Sequence, residues 1–424
     1  MSERLLALLC DSCGTRFDPS GSIQDYCPSC GPRLGTLECV LDMDLAADAL
    51  RKQPLLSRTE PSILRYDALL PIRSHDQFPL IRIGRTPLYR RPGLARQTGV
   101  RDLWIKDDGL NPSGSYKDRA SAMVTTRAKE LGYPVVACAS TGNAAASLSA
   151  CCAASDLRCI VFVPASAPPA KLTQIAAYGA QLIAVNGVYD QAVELAMEAC
   201  RRFGWMNRTA GMSPYLVEGK KTGALEICED LGMHPPDAVF VSVGDGSVIS
   251  GICKGFQEFH ALGMIPFVPR VIGVQASGSS VLCDAFRNYL ETGCIEIVPR
   301  AVDTMADSIS VGDPREGIRA IRMVASTGGS FVSVPDAEIR RAIRDLARFA
   351  SVFAEPAGAT AFAGVRAARE LNLVTDRDRV AVCITGNGLK DIRGVQSSIE
   401  FATIQLEPDP ASIRDLERLM EKDR

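Results

Sequence analysis

Histidine is nearly absent from this chain. Three occur in 424 residues (His75, His234 and His260), and none sits in a motif. That scarcity argues against catalysis built on histidine as nucleophile-activating base. An excess of charge of one sign is missing too. Forty-seven Lys and Arg stand against 49 Asp and Glu, for a net charge of −2. No basic field calls for nucleic acid, and no polybasic or acidic tail is present. Long apolar runs are also lacking. The run at 5–9 is too short for a secretory h-region and leads straight into a cysteine pair. The Ala-rich stretch at 134–155 is broken by Ser, Thr and Asn, so no segment suits a bilayer. A soluble, cytoplasmic protein with no nucleic-acid and no membrane partner is expected.

What is present is apolar residues in quantity: 46% of the chain is hydrophobic, enough for one large or two ordinary domains. Cysteine is abundant, at 15. Many lie singly in apolar segments, such as Cys138, Cys159, Cys253 and Cys383, and read as buried thiols rather than disulfides. Four do not. Cys10-x-x-Cys13 and Cys27-x-x-Cys30 are separated by 13 residues, and Gly14 and Gly31 follow the two pairs. This is zinc-ribbon spacing with a slightly short insert, and it predicts a separate module over 1–40 holding a structural Zn²⁺. The alternative is a knuckle that folds without metal. Four thiolates would leave no open coordination position, which argues against a catalytic metal. Cys39 reads as a bystander.

The rest alternates in β/α fashion. Strands are predicted over 103–106, 135–139, 159–163, 181–185, 238–243, 270–274, 331–334 and 380–384, with helices between them. The reading is an α/β chain with a lead-in and first part of a large domain at 41–115. A small α/β domain follows at 116–205, the rest of the large domain at 206–395, and a tail at 396–424. In the tail, Ile413, Leu416, Leu419 and Met420 recur at helical spacing.

Four loops carry the candidate chemistry. Asn111-Pro112-Ser113-Gly114-Ser115-Tyr116-Lys117-Asp118-Arg119 makes a tight turn and then a helix, which can aim Lys117 into a cleft. Alone, it fits equally a surface lysine at a turn. Ser140-Thr141-Gly142-Asn143-Ala144, Gly244-Asp245-Gly246-Ser247-Val248 and Thr385-Gly386-Asn387-Gly388-Leu389-Lys390-Asp391 each follow a predicted strand. Open α/β sheets bind ligands at such positions, and small residues at a helix N-terminus suit a phosphate. Any one of these turns is also what tight packing produces.

Together these loops, with Glu218-Gly219-Lys220-Lys221-Thr222-Gly223 and Glu355-Pro356-Ala357-Gly358-Ala359, resemble the threonine synthase branch of the fold-type II pyridoxal 5′-phosphate (PLP) enzymes, the tryptophan synthase β family. The resemblance runs over about 66–393. It implies two open twisted α/β domains with the cofactor cleft between them, in a homodimer. It implies that Lys117 bonds the cofactor and removes the substrate α-proton. Asn143 is implied beside the 3′-oxygen and Thr385 beside the pyridine nitrogen. Gly244, Asp245, Gly246, Ser247 and Val248 would surround the phosphate. Ser140, Thr141, Gly142, Asn143 and Ala144 would meet the carboxylate of a small amino-acid substrate. Asn143 is also expected to cap the helix that follows, and Asp245 to face outward or cap its own. The cysteine module, outside these loops, is expected to leave catalysis unaffected when its metal is lost.

Departures from the branch concern the donor. Leu216 stands where relatives place an arginine for the phosphate of O-phosphohomoserine, and Gly211 and Val248 replace small polar groups. Weak use of that donor is therefore expected, the alternative being that Lys220 or Arg208 has taken over its phosphate. The implied activity is α-proton abstraction followed by β- or γ-elimination or replacement. The alternatives are a β-replacement synthase on a serine derivative (cysteate-synthase-like) and an ammonia-lyase on threonine, serine or diaminopropionate. A third is a non-catalytic zinc-ribbon regulatory protein on a PLP fold.

Overall fold

The computed structural model describes residues 4–19 and 25–400, with 403, 405–408 and 413 beyond them. The tail positions Leu416, Leu419 and Met420 lie outside the described residues. Three sheets organise the chain. The N-terminal one is antiparallel, β1 (Leu5–Cys10), β2 (Arg16–Phe17) and β3 (Leu37–Leu41) in the order β2-β1-β3.

The second sheet takes β4 (Leu88–Arg90) and β5 (Asp102–Asp107) from the first part of the body. The third takes β6 (Val135–Ala139), β7 (Arg158–Pro164), β8 (Gln181–Val185) and β9 (Met206–Asn207), all parallel, in the order β8-β7-β6-β9. The chain then returns to the second sheet with β10 (Ala238–Ser242), β11 (Arg270–Ala276), β12 (Ser330–Val334) and β13 (Arg379–Ile384). Its order is β12-β11-β10-β13-β5-β4, with only the edge strand β4 antiparallel. Every residue of β6 and β10 is buried, which is why both read as unbroken apolar runs rather than alternations.

Register brings the carboxyl ends of the central strands level. Ile384 pairs with Asp107, and Val241 with both Gly273 and Cys383. The loops leaving β5, β10 and β13 therefore emerge along one edge, the usual ligand-binding edge of such a sheet. Helix α1 (Lys117–Glu130) leads from this edge and is buried from Asp118 to Ala128. The helix Tyr215–Lys220 lies directly against it. A Cβ on Gly219 would stand 1.9 Å from the carbonyl oxygen of Arg119, so only glycine permits that approach. Helices α2 (Asn143–Ala153), α3 (Thr222–Asp230), α4 (Ser247–Ala261), α5 (Gly317–Ser326) and α6 (Pro356–Glu370) complete the layers used below. No described helix is long and apolar enough to cross a membrane.

The α1 face opposite the cavity carries charge. Arg119 donates from Nε to Asp108 at 2.6 Å and from Nη1 to Glu226 at 2.6 Å and Thr222 at 2.9 Å. Lys106 meets the other oxygen of Glu226 at 2.7 Å, and none of these four charged side chains is exposed. The two cations hold Glu226 well below the usual carboxylate range in spite of its burial. Removing one member strands a buried charge. Arg119→Met is accordingly expected to lower the free energy of unfolding by about 3–5 kcal/mol, measured as the shift of the urea midpoint. A loss below about 1 kcal/mol, the size of an exposed pair, would contradict this account of the network.

Candidate active site

A cavity of about 930 Å³ lies where the two α/β sheets face each other. Loops following β6, β9, β10 and β13 wall it, together with Lys117 and the irregular segment 299–313. Lys117 reaches it because two distant loops are zipped together. Asn387 N–H donates to the Gly114 carbonyl at 2.9 Å, and Tyr116 N–H to that of Thr385 at 2.9 Å. These bonds set Lys117, the first residue of α1, beside Thr385, and both line the cavity. Asp118 fastens the turn from inside, accepting from the Ser113 N–H at 2.8 Å and its hydroxyl at 2.5 Å.

Five cationic side chains line this space, Lys117, Arg208, Lys220, Arg300 and Arg315, and the first three act on one another. Burial, then the nearby Arg208 guanidinium, pull the Lys117 amine below its ordinary pKa. Lys220 donates to the Ser247 hydroxyl, and burial brings its pKa down to about 7, with Glu316 opposing and Lys117 and Arg208 adding to the fall. Arg208, 1% exposed, donates from Nε to Ser121 at 3.0 Å, while its Nη2 has no hydrogen-bond partner among the described residues. Neither Lys220 nor Arg208 has a described carboxylate within ion-pair distance, unlike the Arg119 knot. An unpaired buried guanidinium is costly, and an anionic ligand is the group that relieves it.

Asn143 is the first residue of α2, and the N-cap is Gly142, so the capping role expected for its side chain is not what the structure shows. Its amide donates to Glu355 at 2.8 Å and, more weakly, to Ser308 at 3.4 Å. Burial pushes the Glu355 carboxyl up to about 7, against the lowering effect of Asn143. Ser140, Thr141, Gly142 and Ala144 line the cavity alongside.

Asp245 neither faces away nor caps α4. Its Oδ1 accepts the Arg315 N–H at 2.8 Å, while Oδ2 is buried without a partner among the described residues. The reason is the close packing behind it. Gly246, at φ +100°, rests on the carbonyl of Glu316, where a Cβ would come within 2.8 Å. Gly244, Ser247 and Val248 also line the cavity. Leu216 does not: it is fully buried in the apolar core and absent from the cavity wall, and so is Gly211, which packs on Arg315. The substitution at Leu216 therefore bears less on the donor than its place in the sequence suggests. Reading by motif offered Arg208 only as a group that could take over the donor phosphate, and passed over Glu355 as a partner of Asn143 and the 299–313 segment. Glu355 had one signal, an acid ahead of Pro356 at a helix start.

The four cysteines predicted to hold metal do converge. Cys10 and Cys30 lie 3.8 Å apart and Cys13 and Cys27 3.7 Å apart, with all four sulfurs within 4.8 Å of one another. A closed set of four thiols suits a structural thiophilic ion.

The cavity residues fit PLP. They provide an amine of lowered pKa, a hydroxyl at Thr385 and the side-chain amide of Asn143. They also provide a glycine-lined helix N-terminus at 246–248 with a lysine beside it, suited to a phosphate. Comparison with known proteins agrees. The pyridoxal-phosphate dependent enzyme family matches residues 80–386. The threonine synthase of Methanocaldococcus jannaschii is 38% identical over 384 residues, covering 90% of this chain and 92% of that protein. That of Mycobacterium tuberculosis is 35% identical over 331 residues, covering 78% and 88%. The processed threonine deaminase isoform 2 of Solanum lycopersicum superposes with a TM-score of 0.65 at 21% identity, over 92% of this chain and 99% of that one. Escherichia coli diaminopropionate ammonia lyase does so with a TM-score of 0.64 at 16% identity, over 82% and 93%.

A pH dependence follows from Lys220. Without a ligand its amine loses its proton near pH 7. A phosphate dianion beside it raises that value, so above about pH 7 the bound form holds a proton the free form has lost. Cofactor affinity is then complete below that pH and declines as pH rises through it. Titrations of PLP into wild type and Lys220→Met across this range check the sign: the variant is expected to lose the decline attributable to Lys220. An unchanged slope would remove Lys220 from the phosphate site.

Proposed function

The chain belongs to the pyridoxal-phosphate dependent enzymes, and on that premise we propose that it is a lyase or synthase of the threonine synthase type. It takes an α-proton from an amino-acid donor and carries out β- or γ-elimination or replacement. The observation that carries this reading is the convergence of Lys117, Asn143, Thr385 and the 244–248 turn on one cavity. When bound, PLP supplies the sink for the electron pair left on Cα. The chain's residues do the rest. The 140–144 turn offers N–H and hydroxyl groups to the donor carboxylate. Lys117, its pKa lowered by burial and by Arg208, has an amine able to accept the α-proton. Thr385 offers the pyridine nitrogen a hydroxyl rather than a carboxylate, which moderates the sink and favours elimination and replacement over transamination. Glu355 fixes the Asn143 amide.

For the donor, we place an anionic substituent against Arg208. Of the arginines lining the cavity it is the one with a buried nitrogen that has no partner among the described residues, and it would take the role of the arginine absent at Leu216. The four cysteines hold a structural Zn²⁺ in this reading, and the homodimer implied by the resemblance belongs to it as well.

Lys117→Ala is expected to reduce turnover by about 10²–10⁴-fold or more while the fold persists, since it removes both base and covalent anchor. Steady-state kinetics with circular dichroism tests this, and substantial residual activity would refute the site assignment. Arg208→Met is expected to weaken kcat/KM for O-phosphohomoserine by about 2–5 kcal/mol, the cost of breaking a desolvated charge pair. The same variant should barely affect serine or threonine. If wild type turns over only the uncharged donors, the ammonia-lyase alternative replaces the synthase reading. Cys13→Ser is expected to release the metal, one ion per chain, read by elemental analysis. Absence of zinc from carefully purified wild type would remove the metal from the proposal.

A further inference from the structure

The cysteine module does not stand apart from the cofactor turns. Asp11 occupies the knuckle between Cys10 and Cys13. Its N–H donates to the Thr36 carbonyl at 3.1 Å, and its Oδ2 accepts from the Thr36 hydroxyl at 2.8 Å, so the carboxylate is held from within the module. The same oxygen leaves the module and accepts from Nε of Arg319 of α5 at 2.6 Å, with Nη2 in ion-pair contact at 2.5 Å. Arg322, one turn along α5, donates to the Asp11 carbonyl. Arg319 is 4% exposed and also reaches Glu316 from Nη1 at 3.2 Å.

The residues gripped in this way are those behind the 244–248 turn. Positions equivalent to a Cβ on Gly246 fall 2.8 Å from the Glu316 carbonyl oxygen and 2.9 Å from Ala320 of α5. Asp245 accepts the Arg315 N–H at 2.8 Å. A second tie reaches the rim of the same cavity: Arg33, three residues after Cys30, donates from Nε and Nη2 to Asp313 at 3.1 and 2.9 Å. The start of α5 is thus set between the Cys10–Cys13 knuckle on one side and the backbone of the turn on the other.

We propose that Asp11 and Arg319 are positioning residues for the 244–248 turn, so that the four-cysteine cluster, when filled with a thiophilic ion, sets how tightly the enzyme grips its cofactor's phosphate. This rests on the PLP reading above. The physical step is short. The ion fixes the knuckle, the knuckle fixes the Asp11 carboxylate, and the paired Arg319 fixes the first turn of α5. Gly246 has no side chain with which to take up slack, so movement of Glu316 transfers directly to the N–H groups that face the phosphate. A buried ion pair with its geometry set from both ends transmits such a displacement, whereas an exposed pair would absorb it.

The test uses full-length holoenzyme, with PLP removed and titrated back. Dissociation constants are taken from the cofactor's visible absorbance, and the environment of its phosphate from the ³¹P resonance. Asp11→Asn and Arg319→Met are expected to weaken PLP binding by about fivefold or more, the lower end of ordinary couplings between sites, and to move or broaden the resonance. Arg319→Lys, which keeps the charge, is expected to fall between them and wild type. Stripping the metal from wild type is expected to reproduce the effect, and adding zinc back to reverse it. Glu38→Gln is the control. It breaks another of the module's ties to the body, the part-buried pair with Lys254 at 2.9 Å, without touching α5, and is expected to leave both readouts at wild-type values. Wild-type affinity and an unmoved resonance in Arg319→Met would overturn the proposal, as would a Glu38→Gln protein that behaves like Asp11→Asn. If wild type itself takes up no PLP, the underlying reading falls as well, so the two failures are told apart by the wild-type titration.

Discussion

The site is built on one buried ion-pair knot, Arg119 with Asp108 and Glu226, joined by Lys106. It ties three elements that the chain delivers separately: the end of β5, the first turn of α1, and α3. Arg119 lies two residues past Lys117. With four charges fully buried, the alternatives to correct pairing are all expensive, so the first turn of α1 has essentially one allowed position. Lys117 inherits that position. The knot reaches further through Tyr116, whose hydroxyl donates to the Lys220 carbonyl at 2.6 Å, and whose ring lies under the Arg119 guanidinium. Gly223 is the concession made for that tyrosine: a Cβ there would collide with its hydroxyl at 2.0 Å. Two cavity lysines are thus placed by interactions on the dry side of α1, away from any ligand.

On the wet side the balance is reversed. Lys117, Lys220 and Arg208 approach one another, and each is depressed by burial. The outer knot pairs its cations with carboxylates. The cavity leaves Lys117, Lys220 and Arg208 without a described one. Of the carboxylates acting on the two lysines, Asp245 accepts the Arg315 N–H through Oδ1 and keeps Oδ2 without a partner among the described residues, and the other two are engaged. Glu316 pairs with Arg319, and Glu355 holds Asn143. A protein that stabilises the first cluster by full pairing and leaves the second open has a cavity shaped for anions. In the reading proposed above, one phosphate would satisfy Lys220 and the α4 terminus. Arg208, just past the end of β9, would be left for a second negative group. That division of labour is an electrostatic argument for an acidic donor, independent of any likeness to other enzymes.

Much of the fold was legible because its strands are buried on both faces. The run 135–139 matches the wholly buried β6 end to end, the run 181–185 matches the part-exposed edge strand β8 by its apolar β-formers alone, and the β/α alternation carried the architecture. The cofactor turns were legible because their chemistry is local: small residues after a strand and before a helix. What escaped was whatever depends on contact at a distance. Arg208 could be offered from the sequence only as one of two cations that might take over a phosphate, and its lack of a carboxylate shows only when the walls are in place. Leu216 suggested a lost phosphate contact by its place in a motif, but the helix Tyr215–Lys220 turns that side chain into the core. Asp245 looked misplaced beside a phosphate. Its partner, the Arg315 N–H, is 70 positions away and could not be seen from the local pattern.

The cysteine module extends the same lesson to a whole domain. By spacing it is a self-contained knuckle, and self-contained modules need not influence a site elsewhere. Its surface says otherwise. Lys254, on α4, donates to the Cys39 carbonyl at 2.7 Å and pairs with Glu38 at 2.9 Å and Glu218 at 2.7 Å. Asp11 holds Arg319 on α5. The module therefore grips the body of the helix whose N-terminus faces the cavity, about two turns from that end, and separately the residues on which that end rests. A rigid helix held along its length is fixed in tilt but can still slide along its axis. The stop at Glu316 and Ala320 against Gly246 is what opposes sliding. Of the two attachments, the one through Asp11 is thus the one that sets the height of the helix N-terminus in the cavity.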